Sequence, residues 1–218
     1  MGLDTCLSIW GRLSIEEQAI LEKSAFCRIE EANVPLFNST HDCMGLIVME
    51  SGQLRAYMTS EEGKEITLYR LLPQDICLFS ASCAMKNIQF EIQLETKQDS
   101  KFWVIPTNIY QKLVNSSVIF SNYANEIMSS RFSEVMWLME QILWKGLDKR
   151  LSAFLLEEST LLETTEMKIT HEQIANHIGS SREVITRMLK YFQKEGMVKL
   201  SRGTVIICDW KGLETLLF

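Results

Sequence analysis

Thr170-His-Glu-Gln-Ile-Ala-Asn-His-Ile-Gly-Ser-Ser-Arg-Glu-Val-Ile-Thr-Arg-Met-Leu-Lys-Tyr-Phe192 is the stretch from which the rest of the chain is read. Thr170 is a good helix N-cap, and Gln173 three residues later completes a capping box. Ile174, Ala175 and Ile178 then fall on one helical face. Gly179 ends that helix, because glycine takes the left-handed conformation without steric cost. Ser180 or Ser181 caps a second helix. Val184, Ile185, Met188, Leu189 and Phe192 form its expected buried stripe, and Arg182, Glu183, Thr186, Arg187 and Lys190 project outward. Two short helices joined by a tight glycine turn make a helix-turn-helix, whose second helix is built to enter a DNA major groove.

The chemistry of the outward residues fits that use. Arginine matches guanine O6 and N7, glutamate accepts from the cytosine amino group, and threonine suits a phosphate or a thymine methyl. Residues 168–202 carry seven bases and three acids, net +4, in a chain whose net charge is −6. That is a local basic head on an acidic body, not a chain coated for nucleic acid. The run Gln173–Leu189 resembles the DNA-binding signature of the Crp/Fnr superfamily of bacterial transcription regulators. Arg182-Glu183, followed by Thr186-Arg187, is its most specific part. The resemblance implies that Arg182, Glu183, Thr186 and Arg187 contact bases and phosphates. Residues 196–208 resemble the family's wing: Val198–Leu200 and Val205–Ile207 read as strands around a turn at Gly203. The full candidate DNA-contact set is Thr170, Ser181, Arg182, Glu183, Thr186, Arg187, Lys190 and Arg202.

At 218 residues, with 46% hydrophobic and 23% charged residues, the chain has room for one large or two modest globular domains. No apolar run approaches the ~20 residues of a membrane helix, and the N-terminus lacks the basic and apolar regions of a signal peptide. A cytoplasmic protein is expected. The six cysteines form no C-x-x-C pair and read as reduced thiols, most of them in the core.

Ser14 and Glu17 form a capping box that opens a short helix with Ile15, Ala19, Ile20 and Leu21 as its apolar face. From about Cys27 to Pro106, short runs rich in β-branched and aromatic residues alternate with turn residues. The clearest strands start at Leu46, Gln53, Glu65, Phe90 and Lys101, which implies a β-sandwich or jelly roll. Residues 49–57 and 62–73 also resemble the Crp/Fnr effector roll, with Gly52 and Gly63 at turns. Asn33 and Gln74 depart from that pattern, since the family places glycine there, and both are expected to be tolerated turn substitutions.

After Thr107 the periodicity becomes helical. One stripe carries Phe120, Ala124, Ile127, Val135, Leu138 and Ile142, and a second carries Met128, Phe132, Met139 and Leu143. A helix apolar on two faces packs against two things: the roll, and a second copy of the chain through a coiled coil. The first stripe is the expected dimerisation face. Gly146 is the expected hinge. The expected fold is α+β: residues 1–117 a jelly-roll-like sensor, 118–145 a dimerisation helix and hinge, and 146–218 a winged helix-turn-helix.

In the family's cyclic-nucleotide binders, a Gly-Glu pair and a following arginine hold the ligand. Here Leu78 and Phe79 stand at the Gly-Glu positions, and no arginine lies between Arg70 and Arg131. Cyclic AMP is therefore not the expected effector. Leu78, Phe79, Ser80, Ser82 and Cys83 are the candidate lining of a different pocket. Cys77 and Cys83 offer a redox alternative, weighed against two ordinary core thiols. His41 is a lone histidine in the roll, and no metal or cofactor is evident. The expected partners are double-stranded DNA, a second copy of the chain, RNA polymerase and an unidentified small-molecule or redox effector. An enzyme lacks support: His171 starts no zinc-protease pattern, and there is neither a G-x-S-x-G nor a phosphate-binding glycine loop. A ligand module without DNA binding would have no need of an exposed Arg182, Glu183 and Arg187.

Overall fold

The computed structural model of the chain describes residues 2–37, 44–78 and 92–217. Two compact units emerge: Met1–Met58 with Leu68–Val135, and Thr59–Thr67 with Met136–Phe218.

The first unit opens with α1 (Leu3–Cys6), a 3-10 turn (Trp10–Arg12) and α2 (Ile15–Ser24). The Ser14 capping box is formed: Ser14 N–H donates to Glu17 Oε2 at 2.7 Å, and Glu17 N–H to Ser14 Oγ at 3.3 Å. Of the apolar face expected on α2, only Leu21 is buried. Ile15 and Ala19 face solvent, because a single apolar side is all a helix lying on the roll surface uses. The strands β1 (Phe26–Glu30), β2 (Pro35–Phe37), β3 (Leu46–Ser51), β4 (Leu54–Thr59), β5 (Glu65–Leu71), β6 (Ile76–Cys77), β7 (Gln93–Thr96) and β8 (Ser100–Ile105) form two four-stranded sheets. Their orders are β1-β8-β3-β6 and β2-β7-β4-β5. Every registered pair is antiparallel.

Strand β3 shows why the roll closes. Leu46 and Val48 join the helices in one core, whereas Ile47 and Met49 join Leu54, Leu94 and Phe102 in the other. A strand buried on both faces reads as a continuous apolar run, as Leu46–Met49 does. After the roll come α3 (Thr107–Ser116) and α4 (Val118–Trp144). Phe120 and Ala124 of α4 are buried in the first unit's own core, with Ile127 and Met128 packed against it. Phe120, Ala124 and Ile127 were expected on the partner-facing stripe, and this chain itself covers them.

Two interactions fasten this unit. Glu50 accepts from Lys101 Nζ at 2.6 Å and from Trp103 Nε1 at 2.9 Å. Burial opposes its charge, but these donors outweigh burial and hold its carboxyl at about 2. The buried Arg131 guanidinium on α4 sits 4.8 Å from the Tyr69 ring centroid and donates to Glu134 at 2.7 Å, with Asp75 3.5 Å away. The turn Leu72–Asp75 closes with Asp75 N–H to Leu72 O at 2.9 Å.

Asn33 and Gln74 have φ of 62° and 74°, so both stand in the left-handed region that glycine favours. Asparagine tolerates that region, and glutamine pays more strain there. The second unit contains α5 (Leu147–Leu161), β9 (Glu166–Met167), α6 (His171–Ile178), α7 (Arg182–Lys194), β10 (Val198–Ser201), β11 (Thr204–Ile207) and α8 (Trp210–Thr215). Gly146 caps α5 at φ −60°, a conformation open to any residue. No helix among the described residues is long and apolar enough to cross a membrane.

The Gln74 side chain is exposed, so Gln74→Gly removes strain and little else. It should raise stability by about 0.5–1 kcal/mol in denaturant unfolding. Glu50 has a depressed carboxyl, so its contribution is complete above the unfolded value near ~4.3 and is lost as pH falls toward about 2. In an acid titration, wild type should lose more stability across that window than Glu50→Gln does.

Candidate nucleic-acid interface

The head is assembled from its caps inward. Thr170 Oγ1 accepts from Gln173 N–H at 3.2 Å, and Thr170 N–H donates to Gln173 Oε1 at 2.8 Å. Gly179 ends α6 at φ 66° and ψ 51°, the left-handed cap that the sequence predicts. Arg150 of α5 donates to the Ile178 carbonyl, one of the last acceptors of that helix. Ser181, rather than Ser180, caps α7 and accepts from Val184 N–H at 3.4 Å.

Ile174, Ala175 and Ile178 bury against Ile185, Leu189 and Phe192, with Leu151, Phe154 and Leu155 of α5 completing the core. Val184 and Met188, expected in the buried stripe, are only half-buried. They line an open cleft with Asp148, Arg187 and Tyr191. The stripe of α7 is therefore narrower than its run of apolar residues suggests. With one face locked, Arg182, Glu183, Arg187 and Lys190 lie on the exposed side, while Thr186 is half-buried. The Glu183 carboxyl is held below its ordinary value by its own backbone N–H, then by the Ser181 hydroxyl and by Arg182 and Arg187. It stays an acceptor at neutral pH.

Strands β10 and β11 pair from Val198↔Ile207 to Ser201↔Thr204, leaving Arg202 and Gly203 as a two-residue turn. Gly203 has φ 70°, and Arg202 is exposed at the tip. A third strand, β9, pairs with β11 through Met167↔Val205. It lies near the end of the polar, Thr/Glu-rich segment 159–168. Two residues carry too little periodicity to announce a strand. Among the other sequence-derived candidates, Leu78 is buried in the helix-facing core of the roll. Phe79, Ser80, Ser82 and Cys83, with His41, lie outside the described residues.

Sequence reasoning missed His171. Its Nδ1 lies 2.8 Å from Thr186 Oγ1, joining the first turn of α6 to the middle of α7. The two residues are fifteen apart, and no local pattern relates them.

An antiparallel β-roll and a winged helix-turn-helix in one chain define a DNA-binding transcription regulator. Residues 149–216 match the family model described as the Crp-like helix-turn-helix domain. The chain is similar to a solved transcriptional regulator of the Crp/Fnr family from Eubacterium rectale, with 51% identity and a TM-score of 0.96, over 98% of this chain and 99% of that one. This chain belongs to the Crp/Fnr family. It is also similar to Electron transport regulator A of Shewanella oneidensis, 28% identical over 83% of this chain and 74% of that protein. Regulatory protein HlyX of Actinobacillus pleuropneumoniae is likewise 28% identical, over 79% and 73%.

Ser181→Ala removes the cap of α7 and should cost about 1 kcal/mol in denaturant unfolding.

Proposed function

We propose that this regulator reads two-fold symmetric DNA as a homodimer, through α7 and the wing, under the control of a signal other than a cyclic nucleotide. The observation that carries the reading is the contrast between the two faces of α7. Ile185, Leu189 and Phe192 are fully buried, and Arg182, Glu183, Arg187 and Lys190 are bare. A helix that keeps two arginines and a glutamate unburied on one side has the donors and the acceptor that base edges require. Thr170, Ser181, Thr186 and Arg202 border this surface and suit phosphate contacts.

Dimerisation is supported by the exposed side of α4. Phe132 (64% exposed), Met136 (45%), Met139 (47%) and Leu143 (64%) follow one another at steps of four, three and four. Continued backward, the same heptad meets Ser129, Asn125, Asn122 and Val118, all exposed. Such a seam of large apolar side chains fits a coiled-coil partner, and asparagines within a seam set its register. This stripe replaces the Phe120–Ala124 face as the dimer surface. Of that earlier set, Val135 and Leu138 are half-buried and Ile142 is exposed beside the new seam.

Against a cyclic nucleotide, Leu78 is a core residue where the ligand's cradle would need a glycine. Cys77 is buried with its sulfur 3.8 Å from the Tyr69 hydroxyl, the setting of a packed thiol. RNA polymerase is the partner through which a bound regulator would act.

DNA selection from a random pool, with purified protein and no added ligand, tests the reading. It should return a two-fold symmetric motif, and no enrichment under either reducing or oxidising conditions would mean that an obligate effector is missing or that the DNA-binding reading is wrong. Recovery in one redox state alone would make Cys77 and Cys83 the leading sensor candidates. Arg187→Ala should then cost about 1–3 kcal/mol and relax specificity at one base pair, whereas equal loss on all sequences would make it a phosphate contact. Leu143→Glu should leave a folded monomer in sedimentation velocity.

A further inference from the structure

We infer that His171 is a further DNA-contact residue, which holds Thr186 in the free protein and takes up a proton when a DNA phosphate arrives. The inference rests on the DNA-binding reading above and adds a proton to it.

Thr186 Oγ1 lies 2.8 Å from two groups able to accept its single proton, the Arg182 carbonyl and His171 Nδ1, and we assign that proton to the carbonyl, which can only accept. The 2.8 Å contact between Thr186 Oγ1 and His171 Nδ1 must then be donated by the imidazole. His171 therefore carries its proton on Nδ1, and Nε2 is left with a lone pair. In this form it cannot donate to a phosphate oxygen.

The surroundings keep it that way. Burial lowers the tendency of His171 to ionise, and the neighbouring cations Arg182 and Lys190 lower it further. As the first residue of α6, it also faces the positive end of that helix, where a cation is disfavoured. His171 is thus neutral at pH 7 in the free protein. The same cations draw in a phosphate, and a phosphate beside the ring reverses the balance. Protonation at Nε2 then supplies both a donor and a charge, with Nδ1–H still held on Thr186.

The sign follows from linkage. The group's tendency to bind a proton is depressed in the free protein and raised in the complex, so binding takes up a proton and affinity falls as pH rises between the two values. One proton at each His171 of the dimer limits the slope to about a hundredfold per pH unit. The two added charges neutralise two more phosphates, so the salt dependence at pH 6 should be steeper than at pH 8 by about 1.8 in log K against log salt.

The test measures the affinity of the full-length protein for the duplex recovered by selection, at pH 6, 7 and 8 and at two salt concentrations. Wild type should weaken several-fold from pH 6 to 8. His171→Gln should bind weakly with no such slope, and His171→Arg should bind tightly at every pH. His177, whose ring lies 4.6 Å from that of Phe154, is the control, and His177→Gln should keep the wild-type slope. A flat wild-type profile, or a slope that survives in His171→Gln, would overturn the inference while leaving DNA binding intact. Failure of every form to bind at pH 6 would overturn the DNA-binding reading and the inference with it.

Discussion

The hydrophobic junction of α6 and α7 is the constraint on which the reading surface depends. A helix offers its polar face to a groove reproducibly only if the opposite face is fixed. Here Ile185, Leu189 and Phe192 are fixed by Ile174, Ala175 and Ile178 and by the apolar side of α5. The junction in turn requires Gly179, because the left-handed residue there lets two short helices meet without a longer loop. Arg150 and the two capping threonine and serine residues satisfy helix ends that would otherwise lie bare.

The features readable in sequence were those where local chemistry and periodicity agree. The capping box at Thr170, the glycine stop, the cap near Ser181 and the wing turn at Gly203 each combine a residue type with a required backbone conformation. So do Ser14 and Glu17. The roll strands around Leu46–Met49 and Leu54–Met58 were readable for a different reason: their apolar content exceeds what one buried face needs. Gln74 and Asn33 marked left-handed turns only through departure from a family pattern, and the backbone shows that the conformation persists without glycine.

What escaped reading depends on contacts distant in sequence. Periodicity on α4 reveals two apolar stripes, but not which one the chain covers itself. Phe120 and Ala124 disappear into the roll's core, and the stripe from Phe132 to Leu143 is left bare. Val184 and Met188 look like core residues because α7 is rich in them, yet both are only half-buried, and Met188 packs at the edge of the core. The pairing of β9 with β11 and the bond from His171 to Thr186 join segments whose local sequences carry no sign of each other.

We propose that two copies of the chain, held along α4, present two α7 helices to one face of a duplex. Hydroxyl-radical footprinting on the selected duplex, with the mass of the complex measured in parallel, tests it most directly. Two protomers per duplex and two protected patches about one helical turn (~10–10.5 bp) apart on the same face are expected. One protomer per duplex, with a single protected patch, would contradict it.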